Sequence, residues 1–374
     1  MATILPFPYR TVAEISLKAL VKNLSTLRTL SRKEVIPVVK ADAYGHGMLP
    51  IAKALVSRGS VQMLAVATLE EAMDLRKKMP SSVSILVLSG FVPHQLDAYS
   101  KYHLVPVIHT LTHLKSLLGR HKLPEIHLKI DSGMNRLGIL ESEVPEAMKV
   151  LGKLPLKLSG LMTHFADSEM TTSPFIDEQI SVFNRVHASL VNARLLNTDA
   201  RIHVSNSGAL LRGKVNASTA VRPGLALYGI SPNPRWEIAH QLVPVLQWKA
   251  RILCFKDLKR GSTVGYGRTY KASRKEKLAL LPIGYADGYP RLLSNHGQVL
   301  IQGKRLPVRG RVSMDLTAVD VTTSTGIREG SVVTLIGQDG KESITAWDLA
   351  SWAETIPYEI LCGLSPRVNR IYYD

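Results

Sequence analysis

The sequence predicts an α/β protein in which a (β/α)8 barrel of the TIM type is followed by a mostly β C-terminal domain. Its 374 residues suit two domains, because a domain usually has about 100–200 residues. From residue 35 to residue 230, short apolar runs alternate with amphipathic stretches, a pattern typical of βαβ units. After about residue 242, helix signals nearly vanish. We therefore assign residues 11–242 to the barrel, and residues 243–374 with residues 1–10 to the β-rich domain.

The predicted barrel consists of eight apolar runs separated by helices. The helices are clearest at residues 69–79 and 174–192, and in the second one the apolar residues recur every three or four positions, as on one face of a helix. Open doubly wound sheets give the same alternation, but eight units in about 200 residues favour a closed barrel. The eight runs cover residues 35–39, 63–67, 84–88, 104–108, 125–130, 156–162, 201–204 and 220–229.

The second domain is predicted from short β-rich runs that are separated by Gly, Pro and Asp. The sequence TAWD at residues 345–348 has the pattern of a capping box, which begins a helix that we expect to end at Glu354. The β-rich runs cover residues 247–255, 278–283, 298–301, 315–321 and 332–336.

Composition limits the classes of protein that the chain can belong to. The hydrophobic fraction of 45% and the charged fraction of 21% are ordinary for a globular protein. No apolar stretch approaches the roughly 18 residues of a membrane span, and residues 1–20 lack the pattern of a secretory signal. We therefore expect a cytoplasmic protein without a membrane partner. The two cysteines, Cys254 and Cys362, are too few for a disulfide framework, and we expect both to be buried.

The net charge of +17 is strongly basic, but the lysines and arginines are scattered along the chain. The densest basic patch, residues 76–78, is short, and we find no helix-turn-helix or RNA-binding motif. We therefore expect a solvated basic surface and no nucleic-acid partner.

The most informative segment is the decapeptide VVKADAYGHG at residues 38–47. A buried apolar run ends at Lys40 and continues into a glycine-containing turn. Since active sites of such barrels lie at the C-terminal ends of the strands, we expect Lys40 to lie in the site. A lysine that is partly desolvated there has a lowered pKa and offers an amine for Schiff-base chemistry.

This decapeptide resembles the cofactor-lysine signature of alanine racemases, the barrel class of pyridoxal-phosphate enzymes. The resemblance continues in order along essentially the whole chain, to the sequence PRVNRIY at residues 366–372. It implies pyridoxal 5'-phosphate as the cofactor, with Lys40 carrying it and Tyr44 among the residues that bind it. It also implies a homodimer with shared active sites, and no metal.

The sequence HLKIDSGMNRLG at residues 127–138 follows the same family pattern. The resemblance implies that Arg136 contacts the phenolic oxygen of the cofactor and the carboxylate of the substrate, for which the rigid guanidinium is suited. It also implies that Lys129, often carbamylated in relatives, braces that arginine. Alternate residues of a strand share a face, so we expect Lys129 and Asp131 to point the same way.

Two histidines follow the sixth and seventh predicted strands, in GLMTHFAD at residues 160–167 and HVSNSG at residues 203–208. The resemblance implies that His164 lies beneath the catalytic tyrosine and that His203 packs near the pyridine ring. It assigns Ser207 to the phosphate of the cofactor.

The eighth predicted strand carries VRPGLALYG at residues 221–229. The resemblance implies that Gly224 and Leu225 donate backbone N–H groups to the phosphate, and barrels commonly bind phosphate after strands seven and eight. It places Arg222 at the pyridine nitrogen. An arginine cannot accept a proton, so the ring stays unprotonated and is a weaker electron sink, which limits transamination.

In the second domain, VGYG at residues 264–267 and RVSMD at residues 311–315 match the family pattern. The resemblance implies that Tyr266 of the partner subunit is the second base. It also implies that Met314 of the partner subunit offers a backbone N–H to the substrate carboxylate, with Asp315 in a supporting role. Relatives usually carry cysteine where this chain has Ser313, which argues against a thiol function there.

Three further residues belong to the access route that the resemblance implies. Tyr358 matches the tyrosine that narrows this route and touches the phosphate. Arg291 and Glu169 match its outer part.

The resemblance implies a racemase that interconverts L-alanine and D-alanine with two bases, Lys40 and the partner's Tyr266. One base removes the α-proton, and the other supplies a proton from the opposite face. The missing export signal favours alanine over the wider substrate range of exported relatives. Supply of D-alanine for peptidoglycan and alanine catabolism both fit these motifs.

Two alternatives come from other functional classes. A non-catalytic pyridoxal-phosphate carrier of the same barrel class would lack the β domain. A decarboxylase of this class would carry a different lysine motif and a reactive cysteine in the β domain, where this chain has Ser313.

Overall fold

The computed structural model describes residues 9–89, 91–215 and 218–374, and they form two compact units. The barrel unit comprises Leu20–Ala43 and Met48–Val243, apart from the residues not described. The β unit comprises residues 9–19, Tyr44–Gly47 and Pro244–Asp374. Residues 1–8, which the sequence analysis assigned to the β domain, lie outside the described residues.

The barrel itself contains eight parallel strands among the described residues, as predicted, and each is followed by a loop that leads to a helix or helical turn. A short additional strand of this unit, Ile139–Leu140, pairs parallel with His127–Asp131 at the edge of the ring. Buried aliphatic residues fill most strand positions, as is typical of parallel strands covered on both faces. Numbered one to eight in chain order, the barrel strands are Glu34–Val35, Met63–Val66, Ser84–Val87, Leu104–Ile108, His127–Asp131, Leu158–Met162, Leu196–His203 and Ala220–Val221.

Hydrogen bonds between backbone groups close these strands into a ring. Strands two to seven form one continuous parallel sheet, and strand eight pairs with strand one. The Val39 N–H donates to the Ala65 carbonyl at 2.8 Å, which joins the segment after strand one to strand two. The Arg222 N–H donates to the Ser205 carbonyl at 2.9 Å, which joins the segments after strands seven and eight. The predicted (β/α)8 barrel is therefore confirmed.

The helices confirm the periodicity analysis. Phe175–Asn192 buries Ile176, Phe183, Val186 and Leu190 on one face, and this amphipathic pattern was the basis of the prediction. The predicted helix at residues 69–79 is shorter and ends at Arg76. The α-helices around the barrel are Leu17–Ser31, Met48–Ser57, Leu69–Arg76, Leu96–Lys101, Leu111–Lys115, Val144–Leu151, Phe175–Asn192 and Ser207–Leu211.

The β unit is built on a seven-stranded sheet, with a three-stranded sheet, a two-stranded hairpin and two helices. Trp248 and Tyr289, both fully buried, meet edge to face with ring centroids 6.0 Å apart. In sheet order the large sheet contains Lys304–Pro307, Gln298–Ile301, Val332–Asp339, Leu246–Arg251, Thr11–Ser16 and Asn369–Tyr373, with Glu342–Ile344 beside Val332–Asp339. The smaller elements are Cys254–Leu258, Glu276–Leu281, Thr317–Asp320, Thr263–Val264, Tyr270–Lys271, Ala346–Trp352 and Pro357–Cys362.

The N-terminal strand Thr11–Ser16 differs from the predicted domain division, which placed residues 11–242 in the barrel. It pairs antiparallel with Leu246–Arg251 and parallel with Asn369–Tyr373. Almost all of its residues are buried, as they are in most of the barrel strands. Hydrophobic pattern reports that a strand is buried but not which sheet it joins.

Two further details correct the sequence analysis. The run at residues 247–255 is divided between two strands, Leu246–Arg251 and Cys254–Leu258, which belong to different sheets. Cys362 is exposed and Cys254 is partly buried, so the expected burial of both thiols is wrong. No helix among the described residues is long and apolar enough to cross a bilayer.

A buried ion pair in the β unit gives a test of the fold. Lys249 Nζ lies 2.7 Å from Glu14 Oε2, and the two side chains are 5% and 7% exposed. We expect Lys249→Met to lower the free energy of unfolding by about 3–5 kcal/mol, because it leaves the Glu14 carboxylate buried without its partner. The measurement is urea denaturation followed by circular dichroism.

The matched control is Lys77→Met, which removes the exposed ion pair between Lys77 and Asp74. An exposed pair contributes about 0–1 kcal/mol, so this variant should unfold close to the wild type. Equal losses of stability in the two lysine variants would show that burial of the Lys249 pair is not what stabilises it.

Candidate active site

Lys40 lies at the start of a left-handed turn that follows barrel strand one. Ala41, Asp42 and Ala43 have φ of 52°, 52° and 54°, with positive ψ. The left-handed helix costs roughly 1–2 kcal/mol per residue for L-amino acids other than glycine. The turn expected after Lys40 is therefore present, but its left-handed residues include alanine and aspartate as well as the glycines at positions 45 and 47.

Four cationic side chains lie near one another at the C-terminal ends of the barrel strands. They are Lys40, Lys129, Arg136 and Arg222. Burial, followed by the charges of Arg136 and Arg222, lowers the pKa of Lys129 to about 8. Burial and the charges of Arg222, Lys129, Arg136 and Lys40 hold the pKa of His164 well below its usual range. Because charges act on one another in this way only at close range, the predicted residues from strands one, five, six and eight share one strongly positive site.

Arg222 is almost fully buried, and backbone groups hold its guanidinium. Nη1 donates to His203 Nδ1 at 2.8 Å and to the His203 carbonyl, while Nη2 donates to the carbonyls of Thr163 at 2.7 Å and Val204 at 3.3 Å. Burial lowers the pKa of Arg222, but these donated bonds require the protonated form. The Nε–H makes no hydrogen bond to any described residue, so it is available to an acceptor in the site.

Arg222 also fixes the protons of two buried histidines. Since arginine only donates, His203 Nδ1 must be an acceptor, and its proton lies on Nε2, which contacts His127 Nδ1 at 2.8 Å. Burial lowers the pKa of His127 to about 3 and that of His203 well below its usual range, so both rings are neutral. His127 reaches His203 across Gly160, where an added Cβ would lie only 2.5 Å from the His127 ring.

The residues predicted to bind phosphate lie together after strands seven and eight. Ser207 Oγ accepts hydrogen bonds from the backbone N–H of Gly224 at 3.0 Å and of Ala226 at 3.2 Å. Ser207 begins a short helix that is capped by the Asn206 side chain, and Leu225 is buried in the turn between the two donors. The structure thus brings a hydroxyl and two backbone donors to one point at the barrel end.

Asp131 holds the loop that carries Arg136. Its Oδ1 accepts from the backbone N–H of Gly133 and Asn135, both at 3.0 Å, and its Oδ2 accepts from that of Arg136 at 3.1 Å. The carboxylate therefore uses both oxygens on the backbone, and it fixes the position from which the Arg136 side chain starts.

In the β unit, the predicted residues Tyr44 and Tyr358 lie close together, with ring centroids 6.0 Å apart. Burial raises the pKa of Tyr44, so its hydroxyl stays protonated. The segment around Tyr44 is tied to the last strand of the unit, because the Tyr372 hydroxyl donates to the His46 carbonyl at 3.0 Å.

Tyr266 and Met314 are among the exposed large apolar residues of the β unit, at 72% and 52% exposure. Tyr266 stands between Gly265 and Gly267, whose φ values are 66° and 68°. An added Cβ on Gly267 would lie 2.7 Å from Arg311 Nη1, so the arginine side chain packs against this turn.

Ser313 closes the turn that presents Met314. Its hydroxyl donates to the Leu316 carbonyl at 2.8 Å and accepts from the Leu316 N–H at 3.1 Å. Asp315 pairs with Arg367 at 2.8 Å. The serine thus has a structural function that needs only a small side chain with a hydrogen-bonding group.

Arg291 and Glu169, predicted for the outer access route, are both exposed. Neither side chain makes a hydrogen bond to the site residues described above. Within the part of the chain that the structure describes, no group of three or more His, Cys, Asp or Glu is arranged to hold a metal ion.

The sequence analysis missed three residues of this site. His127 is the first residue of the motif that contains Lys129 and shares its strand face, which was a usable signal. Gly160 gave none, because its function depends on a ring from the neighbouring strand. Glu71 forms a capping box with Thr68, and this sequence pattern by itself indicates only a helix cap.

Comparison with known proteins agrees with this geometry. Residues 15–232 match the profile of the alanine racemase N-terminal domain, and residues 245–372 match that of the alanine racemase C-terminal domain. An alanine racemase of Halothermothrix orenii is 42% identical over 370 residues, which cover 97% of this chain and 96% of that protein.

Solved structures show the same likeness. The Bartonella henselae alanine racemase with covalently bound pyridoxal phosphate has a TM-score of 0.88 at 31% identity, and covers 98% of this chain and 100% of its own. The Bacillus anthracis alanine racemase with bound L-Ala-P has a TM-score of 0.89 at 32% identity, with coverages of 99% and 96%. This chain therefore belongs to the alanine racemase family.

Proposed function

We propose that this protein is a pyridoxal-phosphate-dependent racemase that interconverts L-alanine and D-alanine, and that it works as a homodimer with shared active sites. The observation that carries the proposal is the positive site at the barrel end, in which Lys40 lies with Lys129, Arg136 and Arg222. The related structures from Bartonella henselae and Bacillus anthracis contain covalently bound pyridoxal phosphate and L-Ala-P, respectively.

The donor set fits pyridoxal 5'-phosphate. The N–H groups of Gly224 and Ala226, which donate to Ser207 Oγ here, suit a phosphate that takes the place of this oxygen as their acceptor and itself accepts from the Ser207 hydroxyl. The positive site suits the phenolic oxygen of the cofactor and the carboxylate of an amino acid, with Arg136 as the planar partner. When bound, the cofactor stabilises negative charge on the α-carbon of an attached amino acid.

Arg222 is suited to the ring nitrogen because its Nε–H makes no other hydrogen bond in the described structure. A guanidinium can donate to that nitrogen but cannot receive a proton from it. An unprotonated ring withdraws electrons only weakly, and this favours return of a proton to the α-carbon over side reactions.

Two bases are needed because racemisation removes a proton from one face of the α-carbon and adds one to the other. Lys40 serves one face, and the barrel offers no second base opposite it among the predicted residues. The partner subunit's Tyr266 serves the other face in this proposal. Support comes from the exposure of Tyr266, Met314, Leu292 and Ile356, since exposed apolar side chains of this size often mark an interface.

His164 supports the second base. Its neutral imidazole can accept a hydrogen bond from the hydroxyl of the partner subunit's Tyr266 and so orient it. The cytoplasmic location and the supply of D-alanine for peptidoglycan stay predictions of the sequence.

Reduction of the protein with borohydride should fix the cofactor covalently on Lys40. Lys40→Ala should remove this adduct and lower the racemisation rate by at least about 10²–10⁴-fold, because it removes both the attachment point and a base. Mass spectrometry of peptides locates the adduct, and Lys53→Ala, an exposed lysine nearby in sequence, is the control. An adduct on any other lysine would contradict the assignment.

Carbamylation of Lys129 should depend on pH. The amine reacts with CO2 only when neutral, and the pKa of Lys129 is lowered to about 8. We therefore expect the carbamate to be present above this pH and to be lost as the pH falls through it. The measurement is ¹³C NMR with labelled bicarbonate, and Lys129→Ala should lack the signal. A signal that persists unchanged in Lys129→Ala would place the carbamate elsewhere.

Shared sites predict complementation between two inactive variants. Lys40→Ala and Tyr266→Phe homodimers should each lose at least about 10²-fold in rate. Heterodimers of the two should regain about half of the wild-type activity, because one composite site has both bases and the other has neither.

The heterodimers can be purified with two different tags and assayed for racemisation. The control is each homodimer carrying both tags, which should stay inactive. Inactive heterodimers whose subunits bind cofactor normally would mean that both bases come from one chain.

A further inference from the structure

The turn after Lys40 is strained, and side-chain carboxylates hold it. The run of left-handed residues from Ala41 to Ala43 is unfavourable by itself. Such a run persists only where surrounding contacts fix it. Asp42 Oδ1 accepts from the Met48 N–H at 2.7 Å, and this closes the turn from within.

The second carboxylate comes from a different part of the barrel. Glu71 Oε1 accepts a hydrogen bond from the backbone N–H of Ala41 at 2.7 Å. Its Oε2 accepts from the N–H of Ala67 at 2.7 Å and, more weakly, from that of Thr68 at 3.4 Å. Glu71 therefore joins the end of strand two to the residue directly after Lys40.

The two oxygens of Glu71 have separate functions. Oε2 completes the capping box of the helix Leu69–Arg76, in which Thr68 Oγ1 accepts from the Glu71 N–H. This alone would explain the residue as a helix cap. Oε1 takes no part in the capping box and accepts from Ala41 instead. A hydrogen bond from a backbone N–H to a carboxylate is stronger than one between neutral groups.

We infer that Glu71 is a positioning residue for Lys40: its Oε1 holds the left-handed turn that places the lysine at the barrel end. The inference rests on the proposed function in that Lys40 is taken as the cofactor lysine. Glu71 itself touches neither reacting atoms nor cofactor in this account, and it acts through the backbone of Ala41.

Glu71→Gln separates this function from simple charge removal. A carboxylate accepts on both oxygens, whereas an amide accepts on one and presents an NH2 group to the other donor. The glutamine can therefore satisfy either Ala67 or Ala41 but not both. The matched control is Glu70→Gln, which changes the exposed neighbouring glutamate and has no bond to the turn.

The test uses the cofactor-loaded dimer and two readouts. Hydrogen exchange measures the opening of the Ala41 N–H in the peptide that spans residues 38–47, and borohydride trapping measures the fraction of chains with cofactor on Lys40. In Glu71→Gln we expect exchange at Ala41 to be at least about tenfold faster and the trapped fraction to fall, while Glu70→Gln matches the wild type.

Glu71→Asp keeps the variant set informative if Glu71→Gln folds poorly. A shorter carboxylate can still cap the helix start at Thr68, but it cannot also reach Ala41. We expect the same faster exchange at Ala41 with an unchanged melting temperature. Wild-type exchange and wild-type trapping in the folded variants would overturn the inference.

The two proposals fail in different ways. If the wild type carries no borohydride adduct on Lys40, the proposed function is wrong, while the exchange at Ala41 still reports on the contact with Glu71. If the wild type carries the adduct and the Glu71 variants keep both signals, only the positioning inference is wrong.

Discussion

The barrel end is organised by one constraint, which is that a buried arginine must find acceptors for its donors. Arg222 meets it for the N–H groups of Nη1 and Nη2, with three backbone carbonyls and one imidazole nitrogen. No carboxylate among the described residues accepts a hydrogen bond from it, so its charge is not neutralised locally. The acceptors come from Thr163, His203 and Val204, and the arginine thereby ties together the ends of strands six, seven and eight.

The unneutralised charge determines the state of its neighbours. It helps to keep His164, His203 and His127 neutral, and it lowers the pKa of Lys129. Among the described residues, Asp131 is the carboxylate that raises the pKa of Lys129, but both of its oxygens bind backbone N–H groups. A site of this kind favours anionic groups, because each anion that enters relieves repulsion among the cations.

Much of this arrangement could be predicted from the sequence. The eight apolar runs gave the barrel because buried parallel strands produce continuous hydrophobic segments. Lys40, Arg136 and Arg222 could be placed at the barrel end because each stands at or after the end of a predicted strand, in a motif that resembles one of the alanine racemase family. Apolar residues recur every three or four positions in residues 174–192, and this periodicity was sufficient to predict the helix.

The rest depended on contacts between distant residues. Glu71 is recognisable as a helix cap within its own segment, but its bond to Ala41 spans two strands and has no local signature. Gly160 is required by a histidine ring on the adjacent strand. Residues 11–16 were included in the range of the barrel domain although they join the β unit, because their partners follow more than 200 residues later in the chain and hydrophobic patterning carries no information on pairing.

That late pairing has a consequence for synthesis. Thr11–Ser16 emerges from the ribosome early, but its neighbours Leu246–Arg251 and Asn369–Tyr373 are made more than 200 residues later. At a rate of synthesis of about 5–20 residues per second, Thr11–Ser16 stays unpaired for on the order of ten to fifty seconds until Leu246–Arg251 has been made. During that time it is an apolar segment with unpaired backbone groups, which other chains can bind. In the sequence, the barrel unit lies between Thr11–Ser16 and Leu246–Arg251, so it can fold before the second of these strands is made. Expression of this protein should therefore be more sensitive to chaperone supply and to the rate of translation than the stability of its barrel would indicate.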